Sequence, residues 1–326
     1  MKDRYYINSR GTLTRERNTL YFETENDKTP IPIEKVYDIF ATEGITITPG
    51  VHDLLEETNT TLHVFSYGGK YLGCFQPPKP ILSGMCVTKQ SEYYLDEEKR
   101  LKLARKFVKG SIENLRLTLL RYGENNCCIA DEELELRKQL LENAESIPEL
   151  MEIEGEARKI YYDGFDHVIA DGMELNGRSK NPPEDPSNSL MSYGNSMLYG
   201  SIVTEIYHTR LDQTVSFLHE PHERRYSLSL DIAEIFKPLI VDRLIIGLAN
   251  QGKITPDDFE KEGDFCSMNE SAKSTFVDAF DERLLQTRKH PQIRRNMSWR
   301  RWIRQECHRI TKHILEIEEY QPTTAR

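Results

Sequence analysis

The chain has 326 residues, 38% of them hydrophobic and 29% charged, which is enough for one large domain or two ordinary ones with a real core. Its most apolar stretch, residues 232–249, is broken by charged residues and a proline, so the sequence excludes a membrane-spanning helix of about 20 apolar residues. The net charge of −10 is unevenly spread, because residues 286–312 hold nine Lys and Arg against one acid, while residues 131–156 hold ten acids against two bases. This asymmetry fits a local polyanion-binding face on an acidic body, and it equally fits a solvated charged helix.

The N-terminus and the cysteines indicate a cellular compartment. The chain begins Met-Lys-Asp-Arg and has no apolar segment typical of a secretory signal. Its six cysteines form no Cys-x-x-Cys pair and no disulfide-framework spacing. We therefore expect reduced thiols and a cytoplasmic protein.

Residues 1–76 predict strands joined by turns. Short apolar or alternating runs, such as those around Leu13, Leu20 and Leu62, are separated by turn-forming pairs at 10–11, 26–27, 49–50 and 68–69. The glycines within 67–71 predict a hairpin tip, because glycine tolerates the positive φ of a tight turn. The Pro-rich segment 77–84 cannot continue a helix or a central strand, and we interpret it as a linker.

After the linker, the spacing of apolar residues changes to that of helices. Apolar residues from Leu103 to Leu119 recur every three to five positions, which predicts an amphipathic helix over 96–122. The composition of 171–188 predicts a loop. Further helices are predicted over 148–165, 229–248 with a kink at Pro238, 270–287 and 298–318. The predicted fold class is therefore α+β, with a small N-terminal β-sheet domain over 1–76 and a large all-α catalytic domain over 85–326.

Four polar residues of the helical domain could carry chemistry: Glu154, His219, and the pair Asp231 and Glu234, which are neighbours on one helix face. Burying carboxylates in the apolar segment around Asp231 is costly unless a cation or hydrogen-bond donors compensate. Carboxylates with one imidazole suit Mg²⁺ or Mn²⁺, and such an ion can polarise a phosphodiester. Each residue alone is more often a solvated glutamate or a core histidine, and spacing alone does not show that Glu154 meets His219.

Other chemistries have weaker support. Cys307 and His308 with His313 lack a second close pair of zinc ligands. The sequence has no P-loop, no G-x-G-x-x-G and no G-x-S-x-G motif, which argues against ATP hydrolysis, dinucleotide redox chemistry and serine-hydrolase chemistry.

The basic tract 286–312 contains both tryptophans of the chain, Trp299 and Trp302. Arginines interleaved with aromatic residues suit phosphate contacts and stacking on unpaired bases. Alternatively, the tryptophans anchor a helix to the core and the arginines are only solvated. If the tract binds DNA, its candidate contacts are Arg294, Arg295, Arg300, Arg301 and Arg304.

Several dispersed stretches, in order along nearly the whole chain, resemble the CRISPR adaptation integrase family called CRISPR-associated protein one. The stretches are residues 11–20, 89–96, 153–158, 182–188, 217–219 and 227–238. The resemblance implies that Glu154, His219 and Glu234 hold a divalent metal, Mg²⁺ or Mn²⁺, with Asp231 beside them and Tyr199 near the reacting DNA. It also implies that Arg178 and Asn188 belong to a loop that shapes the DNA-binding site.

The same resemblance implies an assembly and a reaction. Family members form homodimers, and two such dimers flank a dimer of a small ferredoxin-like partner, CRISPR-associated protein two. In the cytoplasm of a prokaryote, this assembly joins the 3′-hydroxyl ends of short DNA fragments into the repeat array by transesterification. The same site acts as an endonuclease when water replaces the hydroxyl. The N-terminal domain would serve dimerisation.

Three positions depart from the pattern expected for the family: Lys237 stands where Arg is usual, Asn195 where an aromatic residue is common, and Asn181 where a basic residue is frequent. They affect expected DNA contacts and remove no metal ligand. The alternatives are a transposon-type integrase, a stand-alone structure-specific endonuclease of the same fold, or a catalytically silent architectural DNA-binding scaffold.

Overall fold

A computed structural model of the chain describes residues 2–325, except 67, 79, 80, 82, 124–126, 176 and 222–225. The chain divides into two compact units, 1–82 and 83–326. Tyr67 of the predicted hairpin tip and three residues of the predicted linker, Lys79, Pro80 and Leu82, lie outside the described residues.

The described residues of the first unit form two four-stranded sheets, one α-helix and a short 3-10 helix. Its elements are β1 (Asp3–Ile7), β2 (Gly11–Glu16), β3 (Thr19–Glu23), β4 (Lys28–Ile31), β5 (Val36–Ala41), β6 (Ile45–Ile47), α1 (Pro49–Thr58), β7 (Thr61–Phe65) and β8 (Tyr71–Phe75). One sheet has the order β1-β5-β7-β8 and the other β4-β3-β2-β6. In the first, β1, β5 and β7 run parallel and β8 pairs antiparallel with β7. Leu13, Leu20 and Leu62 lie in the core of this unit, as the apolar pattern predicts.

Helix α1 corrects one prediction. The Pro49-Gly50 pair was expected to form a turn between strands, but Pro49 begins the helix. Proline fits there because the first turn of a helix leaves its N–H groups without intrahelical partners. The helix buries Val51, Leu54 and Leu55, which share one face.

The second unit is mainly helical, which confirms the predicted fold class. Its helices are α2 (Gly84–Leu95), α3 (Glu97–Gly123), α4 (Cys128–Leu140), α5 (Ile147–Phe165), α6 (Pro186–Tyr207), α7 (Ser227–Lys237), α8 (Arg243–Asn250), α9 (Glu270–Leu285) and α10 (Trp299–Ile314). Two short hairpins, which the sequence did not predict, interrupt the helices. They pair β9 (Phe259–Glu262) with β10 (Phe265–Met268), and β11 (Thr287–Lys289) with β12 (Asn296–Ser298).

Helix α6 is buried along most of its length, and the spacing of apolar residues did not predict it. It begins after Asp185, whose carboxylate accepts the N–H of Asn188 as an N-cap. A Cβ at Gly194 would lie 2.7 Å from Val241 and 2.9 Å from Phe276, so glycine permits close packing there. Since it buries most of its surface, α6 shows no amphipathic stripe.

The helix predicted over 229–248 is interrupted at Pro238, as expected. Helix α7 ends at Lys237, a five-residue π-helical turn follows over Pro238–Asp242, and α8 continues from Arg243. Proline lacks the N–H that would bond to the preceding turn, so the regular ladder breaks there.

None of the described helices is long and apolar enough to cross a membrane. All six cysteines are free thiols, and four of them are buried.

Candidate active site

Helix α7 and the loop before it fix His219 through Asp231. The Asp231 carboxylate accepts backbone N–H groups from Phe217 at 2.6 Å, Leu218 at 3.0 Å and His219 at 2.9 Å. Its Oδ1 also lies 2.8 Å from Nδ1 of His219. With Nδ1–H donated to Asp231, the ring presents Nε2 as its lone-pair donor. Asp231, fully buried, is thus a positioning residue for His219.

Helices α5 and α7 bring Glu154 and Glu234 to the same guanidinium. Nε of Arg158 donates to Glu154 at 2.7 Å, one helical turn away, and its Nη2 donates to Glu234. Lys237, three residues after Glu234, donates to the other oxygen of that carboxylate at 2.5 Å. The structure therefore joins two predicted site carboxylates through one cation, Arg158, and adds Lys237 on Glu234 alone. The sequence analysis did not predict either ion pair.

These contacts shift the protonation of the site. Burial disfavours the charged Glu234, but Arg158, Lys237 and His219 outweigh it and hold the pKa of that carboxyl well below its usual range. Burial also disfavours the imidazolium of His219, but the Asp231 hydrogen bond and charge raise its pKa. The site thus favours ionised Glu234 near neutral pH.

The donor chemistry fits a divalent cation, although the side chains are arranged around Arg158. Two carboxylates and an oriented imidazole suit Mg²⁺ or Mn²⁺. Glu154 and His219 keep 20% and 26% of their side chains exposed, so an ion can reach them. As placed, no group of three His, Cys, Asp or Glu among the described residues could hold a metal ion.

Three cations lie near these groups: Arg178, Lys180 and Lys237, which together we call the basic rim. Burial and the like charges of Lys237 and Arg178 lower the pKa of Lys180, so the three cations are close enough to repel one another. Nζ of Lys237 lies 5.3 Å from the centre of the Tyr199 ring, so Tyr199 lies beside a cation that contacts Glu234. Its position near the reacting DNA stays a prediction. Lys180 carried no sequence signal, since it lies in a loop with no periodic pattern.

Asn188 holds the loop that carries Arg178. Its side-chain oxygen accepts from Arg178 at 2.7 Å and from the backbone N–H of Ser179 at 3.0 Å, and its amide donates to the carbonyl of Gly177 at 2.8 Å. Asn188 is fully buried. We therefore assign Asn188 to shaping the loop, and the DNA contact of Arg178 stays a prediction.

The basic tract separates into buried and exposed parts. Trp299 and Trp302 are core residues, so the base-stacking interpretation was wrong for them and the anchoring alternative holds. Arg294, Arg295 and Arg301 are exposed. Two further predicted contacts are less accessible: Arg300 is half-buried, and Arg304 pairs at 2.7 Å with buried Glu205 of α6.

The chain matches a known family. The family model described as CRISPR associated protein Cas1 covers residues 5–282. The CRISPR-associated protein Cas1 1 of Methanobrevibacter ruminantium is 43% identical over 324 residues, with 98% of each chain covered. The CRISPR-associated endonuclease Cas1 of Methanothermobacter thermautotrophicus is 40% identical over 318 residues, covering 98% of this chain and 93% of that protein.

Solved structures share the fold. A Cas1 protein from Thermotoga maritima superposes with a TM-score of 0.88 at 34% identity, covering 99% of this chain and 100% of that one. A casposase bound to integration product gives a TM-score of 0.86 at 20% identity, covering 99% of this chain and 93% of that one. A Cas6-RT-Cas1–Cas2 complex gives 0.86 at 20% identity, covering 99% of this chain and 36% of that one. At 20% identity, the likeness shows the fold alone.

Proposed function

The chain belongs to the CRISPR-associated Cas1 family of endonucleases and integrases, and from this premise we propose that it joins 3′-hydroxyl ends of short DNA fragments into a CRISPR repeat array. The reaction is a metal-assisted transesterification, and hydrolysis is the same chemistry with water as the nucleophile. The observation that carries the proposal is that Arg158 joins the carboxylates of Glu154 and Glu234, and that the oriented imidazole of His219 lies near enough to Glu234 to stabilise its charge.

In this proposal, Glu154, His219 and Glu234 hold Mg²⁺ or Mn²⁺. When bound, the ion polarises the phosphodiester and favours the attacking hydroxylate. Asp231 keeps the His219 ring in one tautomer, so that Nε2 is available as a ligand. Gly155, which follows Glu154, has no described atom within 4 Å of the position of a Cβ, so the backbone beside Glu154 is open to a substrate.

The cations of the rim attract and orient the DNA backbone. Arg178, Lys180 and Lys237 lie near enough to share one field, and a phosphodiester brings the negative charge that this field favours. Lys237 binds phosphate as a point charge rather than as the planar fork of an arginine. Tyr199, beside Lys237, is proposed to contact the reacting strand.

Two features support the proposed partners. A solved Cas6-RT-Cas1–Cas2 complex contains a chain with the fold of this one, which supports Cas2 as a partner. We propose that a Cas2 dimer lies between two dimers of this protein, as the family resemblance implies. The exposed arginines of the basic tract supply candidate duplex contacts, although the chain as a whole carries a charge of −10.

The proposal is tested by strand transfer of a labelled DNA fragment into a plasmid with or without a repeat array. His219→Ala should lower strand transfer by about a hundredfold or more at saturating Mn²⁺, because a lost ligand removes several kcal/mol of transition-state stabilisation. Duplex affinity should stay within about twofold, since phosphate contacts dominate affinity. Exposed His167 offers a matched control, His167→Ala.

The outcomes separate the alternatives. Wild-type joining by His219→Ala would remove His219 from the site, and DNA binding without any metal-dependent cleavage or joining would favour an architectural scaffold. Joining that ignores the repeat would favour a transposon-type integrase. Glu154→Gln and Glu234→Gln are better variants than alanine, because both carboxylates contact buried Arg158 and shortening them would leave a cavity beside it.

A further inference from the structure

Four arginines of the second unit lie near one another where helix α3 ends. They are Arg121 at the end of α3, Arg243 at the start of α8, Arg283 near the end of α9, and Arg288 in β11. The hydroxyl of Tyr122, the residue after Arg121, donates to the carbonyl of Arg243 at 3.4 Å, and the charges of Arg121 and Arg288 act on both Arg243 and Arg283. Nε of Arg243 donates to Thr118 of α3 at 3.0 Å, which joins α8 to α3. Nη2 of Arg283 donates at 2.6 Å to the carbonyl of Leu239, in the π-helical turn just before Arg243.

In this arginine cluster, the acceptors that the structure gives to Arg243 and Arg283 are all neutral oxygens, those of Thr118, Ala325, Gln286 and Leu239. In the part of the chain that the structure describes, no carboxylate forms an ion pair with any of the four. Arg243 is only 3% exposed, and its Nη1 finds no hydrogen-bond partner among the described atoms. The same holds for the buried Nε atoms of Arg283 and Arg288.

Burial and mutual repulsion both act against the charges of the cluster. Burial, followed by the charge of Arg121, lowers the pKa of Arg243 to about 10. Burial and the charges of Arg288 and Arg243 lower the pKa of Arg283 to about 10 as well. Buried like charges are stable in proteins when an opposite charge compensates them. Elsewhere in this unit that rule is obeyed, as with Arg158 between two glutamates.

We propose that the arginine cluster formed by Arg121, Arg243, Arg283 and Arg288 binds a phosphate group, at a site separate from Glu154, His219 and Glu234. Guanidinium groups match the oxygens of a phosphate in pairs, and three unpartnered N–H groups are available. Arg121 is exposed and Arg288 is half-buried, so the cluster is open to solvent on one side. The phosphate is either a diester of DNA, which rests on the proposed function, or a free phosphate.

Inorganic phosphate tests the site without reference to catalysis. Arg283 lies 5.3 Å from the Trp299 ring, so tryptophan fluorescence and the melting temperature can both follow a phosphate titration against chloride at constant ionic strength. The wild type should show a saturable fluorescence change and a rise in melting temperature. Arg121→Gln combined with Arg288→Gln should weaken the apparent affinity at least tenfold, with little risk to folding, because both side chains reach the surface.

A control variant removes two positive charges, as the Arg121/Arg288 double variant does, but at positions outside the arginine cluster. Lys102 and Lys109 lie on exposed turns of α3, each paired with its own glutamate, so Lys102→Gln combined with Lys109→Gln should leave the phosphate response unchanged. A wild-type response no larger than that in chloride, or an equal loss in both double variants, would overturn the proposal. The cluster would then be compensated within the chain itself.

A second measurement identifies the source of the phosphate. If DNA supplies it, the Arg121/Arg288 double variant should bind a short duplex more weakly, and phosphate should compete with duplex binding in the wild type only. If duplex affinity is unchanged while the phosphate response is lost, the ligand is a free phosphate. Loss of strand transfer in His219→Ala with an intact phosphate response would separate this site from the proposed catalytic function.

Discussion

Asp231 is saturated by four donors, and this makes it the most constrained carboxylate of the site. We predict that Asp231→Asn lowers Mn²⁺ affinity by about 10- to 100-fold, because the amide cannot accept all four hydrogen bonds and the His219 ring loses its fixed tautomer. Electron paramagnetic resonance of free Mn²⁺ during a titration measures the affinity directly. Exposed Asp171 provides the control variant Asp171→Asn. Unchanged Mn²⁺ affinity in Asp231→Asn would contradict the positioning role.

Arg158 compensates two carboxylates in the metal-free site. We predict that Arg158→Gln lowers the melting temperature of the metal-free protein, since removing one partner of a buried ion pair costs about 3–5 kcal/mol. Mn²⁺ should raise the melting temperature of the same variant more than that of the wild type, because the ion no longer competes with the guanidinium for the carboxylates of Glu154 and Glu234.

Differential scanning fluorimetry with and without Mn²⁺ measures both effects of Arg158→Gln. Arg137 also pairs with a glutamate, Glu156, but at the surface, and Arg137→Gln should change neither quantity appreciably. An identical Mn²⁺ shift in Arg158→Gln and wild type would show that Arg158 does not occupy the ion's place.

Part of this site was predictable at the residue scale. The carboxylates and the histidine stand out because such residues are costly in apolar surroundings. Arg158 and Lys237 carried a local signal that was not used, since they follow Glu154 and Glu234 by four and three residues on the same helices. The contact from Arg158 to Glu234 spans 76 residues, and no local pattern encodes it.

At the scale of elements, the spacing of apolar residues predicted most of the described helices of the second unit, but α2, α4 and α6 were missed. The helices α3, α5, α9 and α10 begin and end within a few residues of the predicted ranges. Helix α6 was missed because an apolar stripe exists only when one face meets water. The β11–β12 hairpin was missed because its strands have only three residues each.

The β11–β12 hairpin should be sensitive to acid through His290. Its ring is fully buried, lies 4.6 Å from the Trp302 ring, and its Nδ1 accepts N–H groups from Gln292 and Ile293 at 3.3 Å. Burial, and then the positive charge of Arg309, lowers the pKa of His290 to about 4. Between about pH 6.5 and pH 4, the unfolded chain therefore binds more protons than the folded one, and stability falls as the pH falls.

Urea unfolding followed by tryptophan fluorescence checks this prediction, because both tryptophans lie in α10. The urea midpoint of the wild type should drop between pH 7 and pH 5. His290→Asn, which keeps an acceptor but does not titrate, should flatten part of that drop, whereas exposed His167→Asn should not. Equal slopes in wild type and His290→Asn would contradict the assignment.

The exposed arginines of the basic tract should govern salt dependence. Replacing Arg294, Arg295 and Arg301 by Gln should weaken binding to all duplexes alike and reduce the log–log salt slope by about 0.9 for each phosphate that the variant no longer binds. Arg304→Gln should instead lower stability and leave the slope nearly unchanged, because its guanidinium pairs with Glu205. Fluorescence anisotropy in rising salt measures both variants, and an unchanged slope in the triple variant would reassign these arginines to protein contacts.

At the scale of the whole molecule, the net charge argues against DNA binding, whereas the distribution of charge along the chain is compatible with it. An acidic chain of net charge −10 repels DNA on average, so the proposed DNA binding must rely on local basic surfaces. The structure provides the rim of the site, the exposed arginines of the basic tract and the arginine cluster. The order of motifs along the chain predicted the family, whereas the arginine cluster depends on helices and a strand far apart in sequence.

We predict that dimer assembly uses an edge of the first unit. Strand β8 ends one sheet, and an edge strand can pair with a strand of another chain. Leu72 on β8 is 61% exposed, and it would add apolar surface to such a contact. We predict a solution mass of twice 38.0 kDa by light scattering, and a shift towards the monomer in Leu72→Lys. Leu136, 55% exposed on α4, gives the control Leu136→Lys, which should stay dimeric. We also predict that strand transfer is weak for the protein alone and rises when Cas2 is added, because in the proposed assembly two dimers hold the two ends of one fragment. A wild-type monomer that joins DNA fully without the partner would contradict this assembly.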